Sequence, residues 1–181
     1  MKKNGVLDQV YAELKGLDVL EFSGIEPNPT YETLMKTVEV VRQQKVTFLL
    51  AVGGGSVLDG TKFIAAAANY PADIDPWNIL LTHGNDVKSA IPMGSVLTLP
   101  ATGSESNKGA VVSRRETGDK QAFMSEHVQP VFAVLDPVYT YTLPPRQVAN
   151  GVVDAFVHTV SQYITYPVIA NVQERLEEGI L

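Results

Sequence analysis

An apolar run, Val46-Thr47-Phe48-Leu49-Leu50-Ala51-Val52, stops at three consecutive glycines, Gly53, Gly54 and Gly55. Ser56 follows, and then apolar residues at helical spacing, Val57, Leu58, Phe63, Ile64 and Ala67. This pattern predicts a buried strand, a tight turn and a helix N-terminus. Residues without Cβ let another group approach the backbone closely. The first N–H groups of a helix have no internal partner and sit at the positive end of its dipole, which suits a phosphate or pyrophosphate. The same glycines also fit a turn that only packs tightly. The run matches neither the GxxxxGK[ST] loop of nucleotide triphosphatases nor the GxGxxG dinucleotide fingerprint.

Strand and helix signals alternate around this turn. Val6, Val10, Leu14 and Leu17 fit a first helix, and the alternation over 18–22 fits a half-buried strand. Pro27-Asn28-Pro29 reads as a turn, with Thr30 as N-cap of a helix bearing Leu34, Val38 and Val41. Residues 91–99 and 110–113 are strand candidates, and Gly118-Asp119 can turn a hairpin toward 121–123. Residues 131–135 read as a strand buried on both faces, and Pro144-Pro145 opens a helix running to about Thr165. Near-continuous apolar strands separated by helices imply an α/β fold with a parallel sheet covered by helices on both faces. Ligands in such sheets bind beyond the carboxyl ends of the strands. The glycine turn lies at such an end, and so does the small-residue loop Pro100-Ala101-Thr102-Gly103-Ser104-Glu105.

Composition narrows the function classes. The net charge is −6 with no basic cluster, which argues against nucleic acid as a partner. There is no cysteine, so disulfides and thiolate metal sites are excluded. No apolar run has the length of a membrane span, and the N-terminal residues lead into an amphipathic segment, so a cytoplasmic chain is expected. With 45% apolar residues over 181 positions, one domain with part of a second can bury a core.

Asp154 and His158 stand four apart in a helical pattern, which puts carboxylate and imidazole on one face. The pair suits Fe2+ or Zn2+, but taken alone it fits a plain Asp–His hydrogen bond better. Asp59 and Lys62 either form an exposed pair or face the cleft, and Lys120 either is solvated or reaches a phosphate or ribose from the hairpin. His83 and His127 read as surface residues, and Glu174, Glu177 and Glu178 as a solvated helical face.

Four segments together resemble a known family: GGGSVLDGTK at 53–62, TLPATGSESN at 98–107, LDP at 135–137 and LPPRQVANGVVDAFVH at 143–158. They are similar to the iron-dependent (group III) alcohol dehydrogenases, in the NADPH-dependent aldehyde reductase and butanol dehydrogenase branch. The glycerol and dehydroquinate-type branch fits less well. The resemblance implies a dinucleotide-binding α/β domain over 1–142 and the start of an all-helical metal-binding domain over 143–181. It implies that Gly53, Gly54, Gly55 and Ser56 bind the pyrophosphate of NADP or NAD. Thr98, Ser104 and Asn107 would line the cofactor cleft, with Asp59 and Lys120 beside the nicotinamide. Asp154 and His158 match the first two metal ligands. Family members carry an additional first strand with its own glycine loop and two further histidine ligands, so the resemblance implies a chain shortened at both ends. The expected reaction is hydride transfer between a small aldehyde or primary alcohol and NAD(P), by a homo-oligomer using Fe2+ or Zn2+ that this chain alone holds weakly. The alternative is a non-catalytic nucleotide-binding or assembly module.

Overall fold

The computed structural model describes residues 5–165 and 170–181. They fall into two compact units that divide between Thr140 and Tyr141. The first unit is an α/β structure. Helix α1 (Val6–Glu13) and helix α2 (Tyr31–Gln43) precede strand β1 (Leu49–Gly54), which runs directly into helix α3 (Gly55–Ala68). A short helix α4 (Asn78–Leu81), strand β2 (Met93–Leu99), the hairpin strands β3 (Gly109–Arg114) and β4 (Asp119–Met124), and strand β5 (Ala133–Leu135) follow. Strands β1, β2 and β5 form a parallel sheet in the order β1-β2-β5, and β3 pairs with β4 antiparallel. The second unit holds helices α5 (Pro145–Thr165) and α6 (Asn171–Ile180). Proline is favoured at the first position of a helix because that N–H has no internal partner in any case.

Helix α3 is apolar around nearly its whole circumference, and such a helix must be buried. It packs against β1 and β2 on one side and against α2 and β3 on others. Ala51, Leu58, Met93 and Leu97 fill the space between α3 and the sheet. A larger cluster around Leu34, Phe63, Ile79, Val112 and Phe123 joins α2, α3, α4 and the hairpin. Phe63 meets Tyr31 and Phe123 edge-on, at centroid distances of 5.7 and 6.4 Å. The edge of the buried Trp77 ring meets Tyr31, and the Arg114 guanidinium lies over both rings. Arg42 on α2 donates to the carbonyls of Ala67, Ala68 and Tyr70, satisfying the C-terminal end of α3.

Several expectations need correction. Residues 18–22 form no strand; they are irregular and exposed, because no neighbouring strand pairs with them. The 131–135 strand shortens to Ala133–Leu135 at a sheet edge, and Leu135 is 60% exposed rather than buried. Thr30 occupies the N-cap position of α2, but its hydroxyl donates to Glu26 and lies 3.1 Å from the Thr33 hydroxyl rather than capping the helix. Glu177 is only 6% exposed and accepts from Gln173 Nε2 at 3.0 Å, so the acidic face of α6 is not wholly solvated.

Candidate functional site

The strand-to-helix turn sits at the carboxyl ends of β1 and β2. The register between these strands shifts there: Gly53 pairs with Leu97 and Gly54 with Leu99, leaving Thr98 as the extra residue of a bulge. Bulges concentrate beside functional sites, where they redirect a side chain. The N-cap of α3 is Gly54, and no side chain caps the helix. Its first N–H groups therefore carry an uncompensated positive end toward the sheet edge.

The three glycines have different physical reasons. A Cβ on Gly53 would lie 2.6 Å from Val57 Cγ2, and one on Gly55 would lie 2.5 Å from Thr102 Oγ1. Both positions exclude a side chain because the chain itself packs there. A Cβ on Gly54 would meet nothing nearer than Leu99 Cβ at 3.4 Å. Of the three, Gly54 alone is left nearly open by the chain's own atoms.

Two groups of polar side chains surround this turn. In the first, Asp59 accepts from Ser104 Oγ at 2.7 Å and from the Val111 N–H at 3.0 Å. Lys62, fully buried, donates to the Asn107 carbonyl at 2.8 Å, to Asn107 Oδ1 at 2.9 Å and to the Gly109 carbonyl at 2.8 Å. Burial lowers its ammonium pKa to about 8, an effect that the nearby carboxylates of Asp59 and Glu105 partly offset. In the second group, Ser56 Oγ accepts from the Asn28 N–H at 3.3 Å, and Lys120 Nζ donates to Asn28 Oδ1 at 2.9 Å. Asn28 has a left-handed backbone (φ 55°), which presents both its N–H and its side chain toward this corner.

Gly53, Gly54, Gly55, Ser56, Asp59, Thr98, Ser104, Asn107 and Lys120 all belong to the first unit. Ser104 is buried, whereas Asn107 turns its amide oxygen inward to Lys62 and the Gly109 N–H. Sequence reasoning assigned no role to Asn28, which appeared only as part of a turn, and left Lys62 undecided. The signal for Lys62 is the composition of α3: with apolar residues on every side of it, a lysine there needs internal acceptors.

Asp154 and His158 lie on α5 in the second unit, with Nε2 and Oδ1 3.6 Å apart and both side chains exposed. Among the described residues no group of three or more His, Asp or Glu side chains is placed to hold a metal. Catalytic zinc normally has three protein ligands. Asp154 and His158 supply two donors, both exposed to solvent. His83 and His127 are exposed, as expected. No helix among the described residues is long and apolar enough to cross a membrane.

The family model for iron-containing alcohol dehydrogenases matches residues 1–137. The chain is 80% identical over all 181 residues to the NADPH-dependent aldehyde reductase YqhD of Escherichia coli (strain K12), covering 47% of that protein. It is 44% identical over 183 positions to a probable NADH-dependent butanol dehydrogenase of Bacillus subtilis (strain 168), covering all of this chain and 46% of the relative. The crystal structure of E. coli K-12 YqhD matches with a TM-score of 0.94 at 79% identity, over 98% of this chain and 46% of that one. The NADH-dependent butanol dehydrogenase A of Thermotoga maritima matches with a TM-score of 0.89 at 37% identity, over 98% of this chain and 44% of that one. The chain thus spans under half the length of these relatives. Its fold matches that of the corresponding part of these structures, and the chain belongs to the iron-containing alcohol dehydrogenase family.

Proposed function

We propose that this chain is the dinucleotide-binding part of an NAD(P)-dependent alcohol dehydrogenase or aldehyde reductase. The reaction is hydride transfer between a nicotinamide and a small aldehyde or primary alcohol. The observation that carries this reading is the uncapped N-terminus of α3 at the carboxyl edge of the sheet, with Gly54 open to an incoming group. The pyrophosphate lies against Gly53, Gly54, Gly55 and Ser56. Thr98, Ser104 and Asn107 belong to the cleft wall, Asn107 through its backbone and the loop that it braces. Asp59 and Lys120 stand toward the nicotinamide. Their chemistry is positioning: Lys120 and Ser56 are both oriented by Asn28, and Ser104 and the Val111 N–H hold the Asp59 carboxylate fixed. The nicotinamide supplies the hydride chemistry when bound.

NADP is the cofactor that the 80% identical relative suggests, while the B. subtilis and T. maritima relatives are named for NADH. Asp154 and His158 contribute to a metal site that the described residues do not complete. The reading also includes a cytoplasmic setting and a homo-oligomer, the latter supported by exposed apolar side chains on α5.

Calorimetric titration with NADPH and NADH, repeated on Gly54→Ala, tests the cofactor site. The parent should bind and the variant should lose most of that binding, since one methyl occupies the approach to the helix N-terminus. Equal affinity in both would refute the site. A second reading is a nucleotide-binding module without catalysis. NADPH oxidation by a short aldehyde, with Fe2+ or Zn2+ added, separates the two.

A further inference from the structure

Lys62 is the one side chain near the site whose environment the cofactor reading does not explain. Its ammonium is fully buried and spends all three protons on neutral acceptors: the carbonyls of Asn107 and Gly109 and the side-chain oxygen of Asn107. A lysine seldom takes such a position unless every proton is matched, because an unpaired buried charge is costly. Each acceptor lies on the segment that follows β2. Asn107 passes the restraint on. Its Nδ2 reaches back to the Thr102 carbonyl at 3.4 Å, and its Oδ1 also takes the Gly109 N–H at 3.0 Å. Thr102 packs so tightly on Gly55 that a methyl there would sit 2.5 Å from its hydroxyl. A continuous path therefore runs from the buried ammonium through Asn107 and Thr102 to the first residue of α3. Asp59, three residues before Lys62, grips the same segment at Ser104 and Val111. The backbone at Gly103 is left-handed (φ 65°), a turn that glycine takes without a Cβ clash.

We propose that Lys62 is a positioning residue for the cofactor cleft: through Asn107 it holds the 102–109 loop against the glycine turn, and it never touches the cofactor. The role rests on the dinucleotide reading of the turn. Lys62 thereby fixes where the loop stands relative to the glycine turn, against which a pyrophosphate would lie.

NADPH titration, together with amide hydrogen exchange of the same samples, tests this role. Lys62→Met should weaken NADPH binding roughly tenfold. It should speed exchange at 102–109 and leave the amides of β1 and β2 protected. Asn107→Ala, which removes one of the three Lys62 acceptors at a residue that is itself solvent-exposed, should reproduce both effects and serves if Lys62→Met does not fold. The double variant should bind no worse than either single one, because the two residues act in series. Gly54→Ala should lose binding without any change in exchange at 102–109, which separates a blocked site from a loosened wall. Parent-like NADPH affinity in both Lys62→Met and Asn107→Ala would overturn the role alone. Failure of the parent to bind NADPH or NADH would overturn the dinucleotide reading and the role with it.

Discussion

Helices α3 and α5 are both rich in apolar residues, and they meet opposite fates. In α3, Leu58, Phe63, Ile64 and the alanines at 65–67 are buried, and the polar atoms of Asp59 and Lys62 all find partners within the chain. In α5, Val148, Val152, Val153, Phe156 and Val157 stay exposed, Val152 at 66%. The contrast shows that apolar content says a helix needs cover, and not where that cover comes from. For α3 the cover is the sheet, α2 and the hairpin. For α5 the described residues supply little beyond its contact with α6. The stability of the first unit should therefore respond to single changes in α3, whereas α5 should respond chiefly through what it associates with.

The strongest break in this contrast comes from Phe63→Ala. Phe63 has no exposed surface and touches two aromatic rings, so its loss should cost about 3–5 kcal/mol in a urea titration followed by far-UV circular dichroism. A cost near zero would mean that α3 is not the core element described. Next in size, Gly55→Val should cost about 1–3 kcal/mol, because its Cβ meets Thr102 at 2.5 Å. Gly54→Ala should cost less than Gly55→Val in the same titration; the reverse order would show that the three glycines do not divide as their neighbours indicate.

Ser104→Ala follows. It removes one of two donors to Asp59 and should cost about 1–2 kcal/mol, against a near-neutral Ser106→Ala in the exposed part of the same loop. Lys62 gives a pH test with a definite sign. Its folded pKa of about 8 lies below its ordinary value of 10.5, so between these values the unfolded chain binds more protons. Stability from this group must then rise with pH across that window and stay flat below it. The difference in urea midpoint between the parent and Lys62→Met, measured from pH 7 to pH 10.5, should show that rise; a fall would contradict the burial of the ammonium. The smallest expected change is Phe156→Ala in α5, within about 0.5 kcal/mol in stability. Phe156→Glu should instead reduce self-association in light scattering, since exposed apolar patches and unpaired sheet edges drive it.

The sequence made the strand–glycine–helix unit legible because burial and helical periodicity change abruptly within a few residues. The hairpin at Gly118 and the start of α5 at Pro145 were legible because turn and breaker residues act locally. The 18–22 segment was misread because alternation describes a strand only where a neighbour exists to pair with it, and pairing is not a local property. The exposure of β5 was hidden for a related reason: an apolar run does not say whether its strand is central or at an edge. Among the candidate site residues, Gly54 ends β1, and Ser56 and Asp59 lie in the first turns of α3. Asn28 reaches that edge through a turn far away in sequence, and the inward rotation of Asn107 depends on a lysine 45 positions earlier. Contacts of that separation leave no periodic trace.

The chain has a single tryptophan, and its place in the fold makes it an optical reporter with a restricted field of view. Trp77 is held edge-on to Tyr31 beneath the Arg114 guanidinium, so its emission depends on α2, α4 and the hairpin staying together. Helices α5 and α6 contain no tryptophan and contribute to the far-ultraviolet signal without adding to the indole emission. Denaturation followed at both wavelengths then becomes a two-channel experiment. Intensity from the indole reports the unit that carries the glycine turn, and an ellipticity change that precedes it points to α5 and α6. A binding partner that orders α5 would thus be visible as a movement of one curve toward the other, without a label on either component.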